Sequence, residues 1–308
     1  MDYVILLEKM LIFITLMLIA YYMARKGLLG PEFTRAASKL VIDVFMVGTI
    51  LYSMISIGSE RGAGNLGNIL KITFAVQILG YLIAAAVMRF VHLDDSRSAP
   101  YELLMAVGNS MFIALPIAQA LYGDYAVMIV SVSCLPFNLL LYSYGTWRLR
   151  GGYGGRLRIR DMFSTPMLAT LLGILIMVSG IPVPHVLMSL FSSMNGATMP
   201  MSMMVIGASL GSVSLLDAFR NRQLALLSAV RLILIPVLSW LFCRLLTSDS
   251  VLLMTSMIIA AAPSAVMISV LSVQYGKDGV YSSEGVLHTT VCSMLSIPLL
   301  VAVLSRFS

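Results

Sequence analysis

The chain has 308 residues, 59% of them hydrophobic and only 11% charged, with 23 Met and a mean hydropathy of +0.95. Soluble domains carry about 25% charged residues, so this chain lacks the polar surface of a water-soluble enzyme, and its apolar content excludes a disordered chain. The net charge of +6 reads as Lys- and Arg-rich cytoplasmic loops facing a membrane, not as a nucleic-acid surface.

Apolar runs broken by charge, Gly and Pro predict ten spans, at residues 3–24, 38–57, 69–91, 101–121, 125–147, 163–180, 195–214, 223–246, 251–274 and 280–304. Glu8 and Lys9 interrupt the start of the first, and no small-residue cleavage site precedes Arg25-Lys26, so it reads as a retained span. With the N-terminus outside, fourteen Lys and Arg fall on the inner side, among them Arg25, Lys26, Arg148, Arg150, Arg156, Arg158 and Arg160, against five outside. That asymmetry predicts both termini outside, and the expected location is a bacterial- or archaeal-type plasma membrane, crossed many times.

The Gly-rich basic stretch 148–162 lies at the chain midpoint and separates residues 1–147 from 163–308. Tyr122-Gly123 and Tyr275-Gly276 are 153 residues apart, as are Gly27 and Gly180, and Pro31 and Pro184. Five spans per half would insert the second copy upside down, and inverted repeats of this kind are a transporter architecture with its site near the midplane. Pro116 in the fourth span and Pro263 in the ninth fall mid-span, where proline removes a backbone donor and clashes with the preceding turn. Both spans are expected to break there, offering freed backbone groups and half-helix N-termini to an anion.

Few ionisable or amide side chains lie inside the spans. Asn109 and Ser110 flank the first expected break. Asp43, near the inner end of its span, reads either as an interfacial carboxylate or as a coupling group. Glu284 and His288, one helical turn apart, suit either proton exchange or a structural hydrogen bond. Arg231 reads as a counter-charge for an anion, or as a side chain that snorkels or pairs. Gln77, Gln119 and Asn138 fit interhelical hydrogen bonds as well as they fit ligands. Gly207, Ala208, Ser209 and Gly211 read as a close helix approach, and Met199, Met201, Met203 and Met204 as filling of irregular apolar surface rather than metal ligands. Cys134, Cys243 and Cys292, odd in number and all inside apolar runs, read as packing residues. The chain holds no HExxH, Walker A or GxSxG sequence, which argues against an enzyme; no cofactor or metal is expected.

GNSMFIALP at 108–116, VIGASL at 205–210, VRLILIPVL at 230–238, AAPSA at 261–265 with the QYG that follows, and TTVCSMLSIPLL at 289–300 occur in order along the whole chain. Together they resemble the auxin efflux carrier family, which includes bacterial malate permease-like proteins and the plant PIN carriers. The resemblance implies an all-α polytopic membrane protein of ten transmembrane helices, built as two inverted five-helix repeats with broken, crossing helices 4 and 9. That architecture is similar to those of sodium–proton antiporters and bile-acid transporters. It further implies a scaffold of spans 1, 2, 6 and 7, a transport domain of spans 3–5 and 8–10, and elevator-type alternating access. The implied partners are the lipid bilayer, a small organic carboxylate (malate-like or auxin-like) and a second copy docked through the scaffold.

By that likeness Pro116 and Pro263 mark the crossover and Asn109 lies beside the carboxylate position, with Ser110, Ser264, Met267 and Asn138 as further site candidates. Asp43, Glu284 and His288 are the candidates for proton or ion coupling. Three positions depart from the family pattern: Asp43 replaces Asn, Val47 replaces Pro, and Met267 replaces an Asn of the ninth span. Losing that amide leaves room for a smaller, less polar or differently held substrate. The rival readings are a cation or proton exchanger, or a membrane receptor on the same scaffold. An exchanger calls for paired acids at the crossover, and neither Pro-interrupted span has a mid-span carboxylate.

Overall fold

The structure is a computed structural model that describes residues 3–151, 163–211 and 221–307. Among them the regular structure is helical: α1 Tyr3–Arg25, α2 Pro31–Gly58, α3 Gly64–Val87, α4 Asp95–Ala106, α5 Leu115–Val132, α6 Cys134–Leu140, α7 Thr165–Ser179, α8 His185–Gly211, α9 Arg222–Arg244, α10 Ser250–Ala261, α11 Met267–Gln274 and α12 Gly279–Leu304. Among the described residues five helices are long and apolar enough to cross a membrane: α2, α3, the run Ser110–Leu149 that contains α5 and α6, α9 and α12. Leu11–Arg25, α7 and α10 are shorter apolar helices. Large apolar side chains such as Leu175, Leu295 and Leu299 lie exposed, as lipid-facing residues do. Of the basic linker 148–162, residues 152–162 lie outside the described residues.

Local chemistry sets many helix ends and the kink at Gly123 inside α5. Gly27, Gly123, Gly180 and Gly276 have φ of 78°, 69°, 64° and 68°, and a Cβ on any of them would meet nothing within 4 Å. Glycine is thus required there by the left-handed backbone, not by space. These are the two glycine pairs that recur 153 residues apart. Helix α8 begins at His185, ten residues before the hydropathy-based start. Its polar first turns lower the hydropathy without breaking the helical pattern, so residues 185–194, outside the expected span 195–214, are helical too.

The chain forms two compact units. The first comprises Met1–Leu70, Met111–Cys134 and Ser164–Val213. Here α1 lies directly against α8: a Cβ on Gly207 would overlap the Met17 carbonyl, and one on Gly211 the Ala24 side chain. The small-residue stretch is a packing device, as its composition implies. Polar groups in this unit find one another, buried Thr49 with Thr198 at 2.6 Å and half-buried Gln119 with Asn195 at 2.5 Å.

The second unit comprises Lys71–Ser110, Leu135–Phe163 and Ser214–Ser308. Tyr101 donates to the Gln223 carbonyl at 2.7 Å, and Tyr281 donates to the Gln223 side chain at 3.2 Å, fastening α4 and α12 to the start of α9. Glu102, fully enclosed on α4, accepts from Arg148 at 2.6–2.7 Å and from Tyr144 at 2.5 Å. At the start of α12, Asp278 accepts from the Tyr281 N–H and from Arg97, each at 2.9 Å.

Candidate functional site

In the second unit α4 stops at Ala106, where Val107 turns extended (φ −106°, ψ 113°). Helix α10 stops at Ala261, and Ala262 (φ −58°, ψ 138°) leads into Pro263. The two extended stretches pair antiparallel across Gly108 and Ser264. Asn109 N–H donates to the Pro263 carbonyl at 2.7 Å, and Ala265 N–H donates to the Val107 carbonyl at 3.0 Å. Two interrupted helices therefore satisfy each other's backbone at the point where each stops being helical, as an apolar interior demands. Ser264 anchors the pairing further: its N–H donates to Thr289 Oγ1 at 3.1 Å and its hydroxyl to the Leu104 carbonyl at 2.6 Å.

The second break falls at Pro263, as the proline implies. The first does not fall at Pro116. That residue is the second of α5, and the preceding turn, Ser110–Ala114, is widened to a π-turn. A proline without an N–H deprives the carbonyl four residues back of its α-helical donor, and one wider turn absorbs the defect. At the 153-residue spacing the counterpart of Pro263 is Ser110, not Pro116. The same combination recurs on α9, where the π-turn Val230–Leu234 is followed by Pro236.

Arg231, in that second π-turn, is 3% exposed and neither snorkels nor meets a carboxylate among the described residues. Its Nε donates to the Ala262 carbonyl at 2.8 Å, Nη1 to those of Met105 and Ala106 at 3.3 and 3.4 Å, and Nη2 to that of Ile259 at 3.5 Å. All four acceptors end the two half-helices α4 and α10. Gly108 makes room for the guanidinium, since a Cβ there would lie 1.8 Å from Nη2. Beside it, Gln77, Gly80, Ser110 and Arg231 share the wall of a cavity of about 10 Å³, and the buried Ser110 hydroxyl has no partner among the described residues.

The remaining candidates are distributed as follows. Asn109 is buried at the pairing, and its carboxamide makes no hydrogen bond to a described residue. Met267, half-exposed, opens α11. Asn138 is buried on α6. Asp43, in the first unit, accepts from Thr165 Oγ1 at 2.7 Å. His288 is buried with Nδ1 2.6 Å from Ser228 Oγ, while Glu284 is half-buried one turn earlier on α12. The structure thus brings Asn109, Ser110, Pro263 and Ser264 together. Sequence reasoning missed Gly108, Thr289 and the Glu102–Arg148–Tyr144 cluster; for Arg231 it left the partners unassigned. The available signals were a lone Arg in an apolar span and a glycine beside the polar Asn109-Ser110 pair.

A chain whose described regular structure is helical, with membrane-length helices and the ends of α4 and α10 paired through their backbones, has the character of a polytopic membrane transporter. The membrane transport protein family matches residues 5–155 and again residues 154–301. The chain belongs to that family, the family of the auxin efflux carriers. It is 24% identical over 294 residues to an uncharacterized transporter of Methanothermobacter thermautotrophicus, covering 95% of this chain and 96% of that protein. It is likewise 24% identical over 307 residues to an uncharacterized transporter of Methanocaldococcus jannaschii, covering 95% and 97%. The protein is a membrane transporter, and family and relatives alike are transporters rather than enzymes.

Proposed function

We propose that the protein is a secondary carrier of small organic carboxylates, malate-like or auxin-like, working by elevator-type alternating access. The observation that carries this reading is Asn109. Its carboxamide sits at the break with no hydrogen bond to a described residue, so its N–H₂ is available to a carboxylate without burial of a second full charge. The first N–H groups of α11 follow the paired stretch and carry the partial positive charge that favours an anion. The exchanger reading is not favoured, because Val107–Ser110 and Ala262–Met267 include no acid.

Ten spans arranged as two inverted repeats, 1–147 and 163–308, form part of the proposal. The left-handed glycines that recur 153 residues apart support it. The proposed moving domain, spans 3–5 and 8–10, differs from the second compact unit over Met111–Cys134, which clusters with the first. A homodimer through spans 1, 2, 6 and 7 and a plasma-membrane orientation with both termini outside complete the reading. Asp43, Glu284 and His288 remain the candidates for coupling.

Uptake of a panel of labelled organic acids into proteoliposomes tests it. A transported acid should lose about 10- to 100-fold of its uptake rate in Asn109→Ala, the equivalent of one hydrogen bond to a charged group. Transport of none of the acids, or uptake untouched by the substitution, refutes the assignment.

A further inference from the structure

Where a helix stops inside a membrane, its last carbonyls have no donor, and each one left unsatisfied in an apolar interior is costly. Transporters with interrupted helices commonly satisfy such half-helix C-termini with a bound sodium ion or a proton carrier. Here the ends of α4 and α10 meet around a single side chain. We propose that Arg231 is a tethered cation that takes the place of a coupling metal cation at the crossover, so that the crossover assembles without sodium or any other alkali ion.

Three observations converge on this. The first is the set of acceptors: Met105, Ala106, Ile259 and Ala262 contribute carbonyls from both half-helices to one guanidinium, at 2.8–3.5 Å. A spherical ion would recruit the same kind of oxygen ligands. The second is charge. Each half-helix C-terminus carries roughly −0.5 of a charge, so two of them match the single positive charge of an arginine, the side chain that keeps its proton most firmly when dehydrated. The third is space. Gly108 is pared to a hydrogen where Nη2 passes, so the guanidinium itself fills the place between the two half-helix ends, and the adjoining cavity of about 10 Å³ matches one water.

Arg231 also has one N–H beyond the four that reach these carbonyls. That donor, with Gln77 and the unpartnered Ser110 hydroxyl around the cavity, gives a water there the two to four polar partners it needs. The arginine thereby acts as a positioning residue. It holds the paired stretch that presents Asn109 and need not touch the substrate.

The proposal is tested on purified full-length protein in detergent without substrate, so its outcome is independent of which acid, if any, is carried. The apparent Tm of the wild type should be the same in sodium, potassium and choline chloride. Arg231→Met should lower it by roughly 10 °C, the effect of leaving a buried charged site half empty. Arg231→Lys, which keeps the charge, should lose less than half as much. Arg231→Ala should regain Tm in millimolar guanidinium, which leaves the wild type unchanged. A sodium-specific rise in the wild-type Tm overturns the proposal, as does a Met variant as stable as the wild type. Equal losses in the Lys and Met variants overturn it too, and that pair decides the matter even if Arg231→Ala fails to fold.

Discussion

Gly108→Ala adds one methyl group at the tightest point of the crossover, and the structure permits its effect to be worked out. The new Cβ would lie 1.8 Å from Arg231 Nη2, so the guanidinium must retreat by about 1.6 Å to restore an ordinary 3.4 Å contact. On steric grounds alone that is cheap, because the obstructing atom is the end of a flexible side chain. The electrostatics are different. The bonds to Met105, Ala106 and Ile259 are already 3.3–3.5 Å long and do not survive such a displacement. Hydrogen bonds to charged groups contribute about 1.5–3 kcal/mol each, and leaving one side of a buried charged contact unsatisfied costs about 3–5 kcal/mol in total. A loss of that size is expected, against less than about 1 kcal/mol if the guanidinium contacts contribute nothing. Thermal denaturation of Gly108→Ala, Arg231→Met and the double variant forms a cycle. If both residues act through the one contact, the double variant is about as stable as Arg231→Met alone. Additive losses, or a Gly108→Ala variant as stable as the wild type, refute the reasoning.

Two further outcomes are expected elsewhere in the second unit. Glu102→Gln removes the carboxylate that receives Arg148 and Tyr144; since Arg148 is 27% exposed and can turn toward water, the loss should fall near the lower end of the buried-pair range, about 3 kcal/mol, read as a fall in Tm. The Asp278 carboxyl is held below the usual carboxylate range, first by the Tyr281 N–H it accepts and then by Arg97, with partial burial opposing. A depressed folded-state pKa means that this stabilisation is full at neutral pH and is lost as pH falls through the folded-state value. The Tm should therefore decline on acidification more steeply in the wild type than in Asp278→Asn. Arg97 is 43% exposed, so the difference is small and shrinks further in high salt, and parallel pH profiles exclude the linkage.

What the sequence determines by itself is everything that depends on one residue and its neighbours along the chain. Too few charges for a water-facing surface mean lipid as solvent. Glycines at 27, 180 and 276 end helices, and Gly123 kinks α5, because only glycine adopts that backbone at no cost, and Pro263 stops α10 because it has no donor to continue it. Pro116 obeyed the same rule with a different outcome, a widened turn rather than a break, since a π-turn is a second local solution to the same missing hydrogen bond. The break at Val107–Asn109 contains no proline at all. It exists because Pro263 and Ala265 lie opposite to pair with it, because Ser264 is clamped by Thr289 and Leu104, and because Arg231 collects the carbonyls that the break leaves over. None of these partners is within a hundred residues of Gly108 except Leu104. A lone arginine in an apolar span announces that it must be satisfied, but backbone carbonyls carry no sequence signature. Which of them answer it is decided only when α4, α9 and α10 pack together.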